Sequence, residues 1–416
     1  MVLIGPWSDL PRVKKWTQGR SDDWADRMNH IYTVFILLCM AVLVTTAQFV
    51  GSRIQCWTPA EFTEGYEDYV HHYCWIKNTY FVPAMDPVSP NVQAHQEAEI
   101  AYYQWVPMFI LIQVFLFKFP NVLWEIFHSR SGLRLGQIIK YADWAHYNSQ
   151  DDRKELIQNL SSTLDKWLAT QRQYQHTVFN RILARFSRIV CLICNKREGN
   201  CLTALYMCTK VLYLLNIIGQ FFLLDAFLYS DYSNIGFEWI KMMRLGQIMR
   251  ESPRFPRITL CDFKIRILQN VKDYTLQCVL PINLFNEKLF LILWFWLVIM
   301  AFICFYSICK WIYLIVVKRN NYQYVKKYLK ITEQLGPHDK VLCKSFADDY
   351  LRDDGCFVLR MIGMNTSDLV TADLLDCLFV HYRMKTQSKE TNNSTETISA
   401  PYVDDAEDSS LVEKEQ

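Results

Sequence analysis

Residues 31–50 read IYTVFILLCMAVLVTTAQFV and contain no charged side chain. A helix crossing about 30 Å of hydrocarbon needs about 20 such residues, so this stretch places the chain in a bilayer. Residues 289–309, LFLILWFWLVIMAFICFYSIC, make the same case near the other end. Two shorter runs lie between them. Val106 to Phe117 ends at Lys118, whose ammonium can snorkel to the interface while Phe119 to Trp124 continue the helix. Val211 to Leu224 is followed by Asp225 and then Ala226 to Tyr229. Met alone, either short run would fit a buried helix of a soluble domain. Beside two full spans, both are expected to cross the membrane as well.

The 416-residue chain has a mean hydropathy of zero, an average that conceals alternating apolar and polar blocks. Aromatics reach 15%, with 13 Trp and 23 Tyr, which suits side chains gathered at membrane interfaces. A net charge of +2 offers no basic excess, and no nucleic-acid partner is expected. The first apolar run follows thirty mostly polar residues and is too long for a signal peptide, so no cleavable signal is expected.

Orientation follows from Lys and Arg near the span ends. Arg12, Lys14, Lys15, Arg20 and Arg27 precede the first span; Arg130, Arg134, Lys140, Lys196 and Arg197 lie in the middle segment; Lys318, Arg319, Lys326, Lys327 and Lys330 follow the last span. The segment after the first span has only Arg53 and Lys77. The segment before the fourth span is richer in basic residues, but most lie away from the span ends. Both termini and the middle segment are therefore expected in the cytosol of a plasma-membrane protein.

This divides the chain into a cytosolic N-terminal segment (1–30), spans at 31–50, 106–124, 209–229 and 289–317, external loops at 51–105 and 230–288, a cytosolic loop at 125–208, a cytosolic C-terminal domain at 318–385 and an acidic tail at 386–416. Asp22 and Asp23 suit the N-terminus of a helix entering the first span. Leu156, Leu160, Leu164 and Leu168, with Trp167 beside them, form a stripe expected to pack on another cytosolic helix. The tail has eight acidic and two basic residues and almost no large apolar ones, so it is expected to stay unfolded.

Cys56 and Cys74 fall in the first external loop, Cys261 and Cys278 in the second, an even set in an oxidising compartment. Two pairs allow three connectivities, which the residues alone leave open. The remaining cysteines, among them the Cys191-x-x-Cys194 pair with Cys201 and Cys208, lack zinc-site spacing and are expected to be reduced thiols.

Around these cysteines stand Ile54-Gln55-Cys56-Trp57-Thr58-Pro59, Tyr73-Cys74-Trp75, Tyr102-Tyr103-Gln104-Trp105-Val106-Pro107, Thr259-Leu260-Cys261-Asp262-Phe263 and Gln277-Cys278-Val279-Leu280. These strings resemble the innexin family, the invertebrate gap-junction proteins. The Tyr102–Val106 string resembles that family's signature, and Pro107 resembles its nematode form. The resemblance takes in Asp22-Asp23, Asp26-Arg27, Asp353-Asp354-Gly355 and Leu359-Arg360-Met361, and covers about residues 1–385. Tyr66, Asp225 and Pro281 depart from it, standing where Trp, Asn and an ordinary apolar residue are expected.

The resemblance implies an all-α membrane protein of four transmembrane helices, with disulfide-linked extracellular loops and a helical cytosolic domain. It implies pairing of Cys56 with Cys278 and of Cys74 with Cys261. It further implies homo- or hetero-oligomers with innexin-like subunits, an octamer in the family, with the N-terminal segment (Leu3, Ile4, Trp7) folded into the pore mouth. Two hemichannels of adjacent cells would dock into a channel for ions and small molecules. Pro107, if internal to its helix, removes a backbone hydrogen bond and permits a bend. Asp225, close to the end of its span, is read either as a pore residue or as a carboxylate reaching the headgroups. Trp57 and Trp75 are read as packing partners of the disulfides or as docking residues. No Asn-x-Ser/Thr site lies in an external loop. No catalytic motif, cofactor or metal is expected. The rival readings are a hemichannel that never docks and an adhesion or scaffold protein with no open pore.

Overall fold

A computed structural model describes residues 21–83, 87, 95, 98–129, 131–172, 199–246, 254–334, 336 and 339–398. Four of its helices are long and apolar enough to cross a membrane: α1 (Trp24–Val50), α3 (Tyr102–Ser129), α6 (Cys201–Leu228) and α8 (Pro281–Val316). The chain is a four-span membrane protein. Consecutive spans are neighbours, and α8 closes back on α1. Their inward faces bury Leu37, Val44, Val106, Phe117, Ile217, Leu224, Leu297 and Met300, while Phe35, Phe115, Phe222 and Phe302 point out of the bundle.

At one end the two loops build a cap. It contains β1 (Gln55–Cys56), α2 (Glu64–Lys77), β2 (Thr79–Tyr80), β3 (Glu99–Ile100), α7 (Ile235–Arg244), β4 (Ile258–Ile267) and β5 (Asn270–Val279). The strands form one antiparallel sheet in the order β1-β5-β4-β2-β3. The all-α expectation thus gains a small sheet. Among the described residues its only long ladder is the β4–β5 hairpin, paired from Ile258 with Val279 to Ile267 with Asn270. Pro281, a departure noted in the sequence, opens α8 at its first turn, where a missing N–H costs nothing.

At the other end α4 (Leu135–Tyr147), α5 (Gln150–Arg172), α9 (Arg319–Ile331), α10 (Lys340–Ser345), α11 (Arg352–Asn365) and α12 (Asp368–Ile398) form a helical domain. The α5 stripe packs on α12 and α4, burying Leu160, Leu164, Trp167 and Leu168. Tyr206 of α6 meets Trp124 of α3, Trp311 of α8 and Phe357 of α11 at ring separations of 5.0–5.1 Å, joining this domain to three spans.

Three details differ from expectation. Helix α12 runs on to Ile398, past the point where composition placed an unfolded tail; extending a formed helix needs no new nucleus. Cys201 is disulfide-bonded rather than reduced. Lys118 turns inward, its Nζ 3.3 Å from His30 Nδ1, rather than only snorkelling.

Candidate functional site

The cap is held by two disulfides. Cys56 on β1 joins Cys278 directly opposite on β5, and Cys74 on α2 joins Cys261 on β4. All four residues are buried, and each bond ties the first loop to the second. Trp75, after Cys74, packs its ring 5.0 Å from Tyr103. Trp57, after Cys56, is 76% exposed. One of the two is therefore a packing partner and the other stands free in the cap.

The Tyr102–Val106 string stitches cap to spans. Tyr102 donates its hydroxyl to the Arg254 carbonyl at 2.9 Å. Gln104 donates to the Trp75 carbonyl and, at 2.8 Å, to Asn78 Oδ1, holding the end of α2. Tyr103 and Val106 are fully buried, and Trp105 faces outward. Pro107 lies inside α3, so the Tyr103 carbonyl four residues earlier has no helical donor. Gln48 of α1 supplies one, its buried Nε2 lying 2.8 Å from that oxygen. The proline thereby becomes a bond between two spans. Asp225 spends its carboxylate locally: Oδ1 accepts from Ser233 N at 2.9 Å and Oδ2 from Ser233 Oγ at 2.6 Å, closing the turn after α6. Leu3, Ile4 and Trp7 lie outside the described residues.

A second constellation sits at the root of α1, at the helical-domain end. Asp23 caps this helix, accepting from Asp26 N at 3.1 Å. The next stretch, Met28–Thr33, winds as a π-helix and turns Asn29, His30 and Thr33 inward. Lys210 of α6, almost fully buried, places Nζ 2.8 Å from both Asp23 Oδ1 and Asp26 Oδ1 and 2.9 Å from Ser307 Oγ of α8. Trp311 donates to Asp23 Oδ2 at 2.8 Å, and Tyr206 to Asp26 Oδ2 at 2.6 Å. Asp22 bonds His30, and its carbonyl accepts from Asn365 of α11 at 3.1 Å. Trp124 of α3 donates to Ser21 Oγ at 3.0 Å. The first span is thus gripped by the other three and by the helical domain. Sequence reading caught Asp22, Asp23 and Asp26 but missed Lys210. The available signal was a lone lysine at the head of one span with two aspartates, spaced one helical turn apart, at the head of another.

The innexin family model matches residues 22–382. The chain belongs to the innexin family. It is 36% identical over 361 residues to innexin unc-9 of Caenorhabditis elegans, covering 87% of this chain and 92% of that protein. It is 34% identical over 375 residues to innexin-3 of the same species, covering 89% and 87%. To innexin-19 of Caenorhabditis briggsae it is 33% identical over 391 residues, covering 87% and 86%. As an innexin it is a structural subunit of gap junctions, and the cap and the spans are parts of a channel.

This innexin also ties its helical domain to the third span. Helix α6 begins after Asn200, which makes no side-chain cap. Asp354 of α11 takes that role from afar. Its carboxylate accepts from Leu202 N at 3.2 Å, Thr203 N at 2.9 Å and Thr203 Oγ at 2.8 Å, and its own N–H donates to the Gly199 carbonyl at 2.7 Å. Complete burial pushes the Asp354 carboxyl up from 3.8 to about 6, the bonds from Thr203 and Leu202 offsetting part of that rise. A raised carboxyl binds its proton in the folded protein before it does in an unfolded chain. This group therefore adds stability as pH falls from about 6 toward 3.8 and loses it as pH rises through that window. The span amounts to about 3 kcal/mol at 1.36 kcal/mol per pH unit. Asp354→Asn is expected to shrink the melting-temperature difference between pH 4.5 and pH 7 (about 1.5 units below and about 1 unit above 6) measured on purified channel. An unchanged profile would refute the assignment.

Proposed function

We propose that copies of this innexin, alone or with other innexin subunits, ring a wide pore as an octamer with the cap outside the cell and both termini in the cytosol. Two such hemichannels dock cap to cap between adjacent plasma membranes, passing ions and small molecules. The N-terminal segment bearing Leu3, Ile4 and Trp7 folds into the pore mouth. The grip on Ser21, Asp22 and Asp23 supports this, because it holds the base of that segment to all the other spans. Pro107 bends the second span, and its Gln48 bond braces that bend against the first.

The observation that carries the docking reading is the tip of the β4–β5 hairpin. The ladder reaches far beyond the short strands beside it. At its end Leu268 is 94% exposed in a left-handed conformation, flanked by exposed Ile267 and Val271. An apolar tip held on a disulfide-braced stalk has no use in water but suits a matching surface. Paired-cell voltage clamp of the homomeric channel tests the reading, and absence of junctional current with intact hemichannel current would sink it. Leu268→Asp would bury a charge at every docking contact. Junctional conductance is expected to fall about tenfold or more, equivalent to about 1.4 kcal/mol or more, with single-cell hemichannel current retained.

A further inference from the structure

We propose that α7 is a membrane-interface helix whose exposed apolar side chains seat among the acyl chains of the leaflet on the cap side. Its depth is set by α8. Phe237 and Trp239 meet the rings of Trp294 and Phe295 at 5.0 and 5.6 Å, and Trp294 Nε1 donates to the Ser233 carbonyl at 2.9 Å. Those two aromatics lie just inside the uncharged run that begins at Leu289. At 1.5 Å per residue, Trp294 is about 8 Å below its start. Amphipathic helices lying in an interface bury their apolar face by about 5–10 Å. The helix is also pinned there, because a Cβ at Gly236 would fall within the Trp294 ring.

Its composition fits the same place. Phe237 and Met243 are each 63% exposed and Leu245 just beyond the helix is 60% exposed, so the apolar surface continues past what α8 covers. Glu238, Lys241 and Arg244, spaced every three residues, make one polar strip. Arg254 engages Glu238 with both arms, at 2.6 and 2.9 Å, which occupies the strip's acid. The exposed Lys241 and Arg244 then present positive charge at the level of lipid phosphates. A bilayer meets both the apolar and the charged requirement, and it is the medium already in contact with the outward faces of α8.

The test uses the full-length channel in cell membranes with p-benzoyl-phenylalanine in place of Phe237, of Met243 and, as a control at the hairpin tip away from the bilayer, of Leu268. After illumination, intact-mass analysis is expected to find a phospholipid adduct at positions 237 and 243 and none at 268. Subunit-to-subunit cross-links at 237 and 243 would instead assign the face to a neighbouring copy. Unreacted protein at both positions would place it in water. Either result overturns the proposal.

Discussion

Lys210→Met is expected to cost about 3–5 kcal/mol and to leave little assembled channel. The ammonium lies at 2.8 Å from two carboxylates in a site that water does not reach. Removing it leaves Asp23 and Asp26 facing each other with neutral donors alone: Tyr206, Trp311, Ser307 and each other's backbone amides. Methionine fills much of the lysine stem's volume, so the loss isolates charge from packing. Adding Asp23→Asn and Asp26→Asn to Lys210→Met is expected to restore assembly, because a buried ion cluster can be replaced by neutral groups at small cost while a half-removed one cannot. The check is size-exclusion chromatography of detergent extracts, followed by single-cell recording. Wild-type oligomer yield from Lys210→Met alone would show that the cluster does not hold the first span.

The second large effect is expected at the cap. Replacing Cys74 and Cys261 together with serine removes one bond and leaves no stray thiol. With Cys56–Cys278 still in place, the circuit that the lost bond closed runs only through residues 56–74 and 261–278, about 35 residues. Chain entropy then assigns it about 4 kcal/mol, less than the roughly 5 kcal/mol for a free loop nearly two hundred residues long. The same holds for removing the other pair, so the two bonds are worth similar amounts. Junctional conductance is expected to vanish in each double variant, because α2 or β1 loses its tether to the hairpin. Coupling at wild-type levels in both, with normal surface expression, would separate docking from disulfide bracing.

The spans were legible because a long uncharged run carries its own explanation: lipid, not a tertiary partner, selects it. The Tyr102–Val106 string was legible as a family mark, but its work was not. That Gln48 would answer the carbonyl opposite Pro107 depends on two spans meeting at one level. The hairpin stayed hidden for a different reason. Its turn is Leu268-Gln269, with a leucine at φ 54° where Gly or Asn would advertise the bend. Its strands do alternate apolar with polar residues, from Cys261 to Ile267 and from Asp273 to Cys278, but no turn residue between them marks the pair as a hairpin. Lys210 was passed over because a lysine at the head of an apolar run looks like an interfacial residue until the aspartates of another span arrive beside it. The hairpin aside, what a single stretch could settle was readable; what two distant stretches settle together was not.

Asp354 has a consequence for how the molecule is made. The carboxylate that completes the first turn of α6 is encoded 152 residues after Leu202. During synthesis the third span enters the bilayer with those amide groups open, and the fourth span follows before their acceptor exists. A chain broken off before Asp354 would carry all four spans and all four cap cysteines, yet leave the first turn of α6 without its acceptor. The last part to be translated thus certifies the earlier ones, and membrane insertion and completion become two separate events in the life of each subunit.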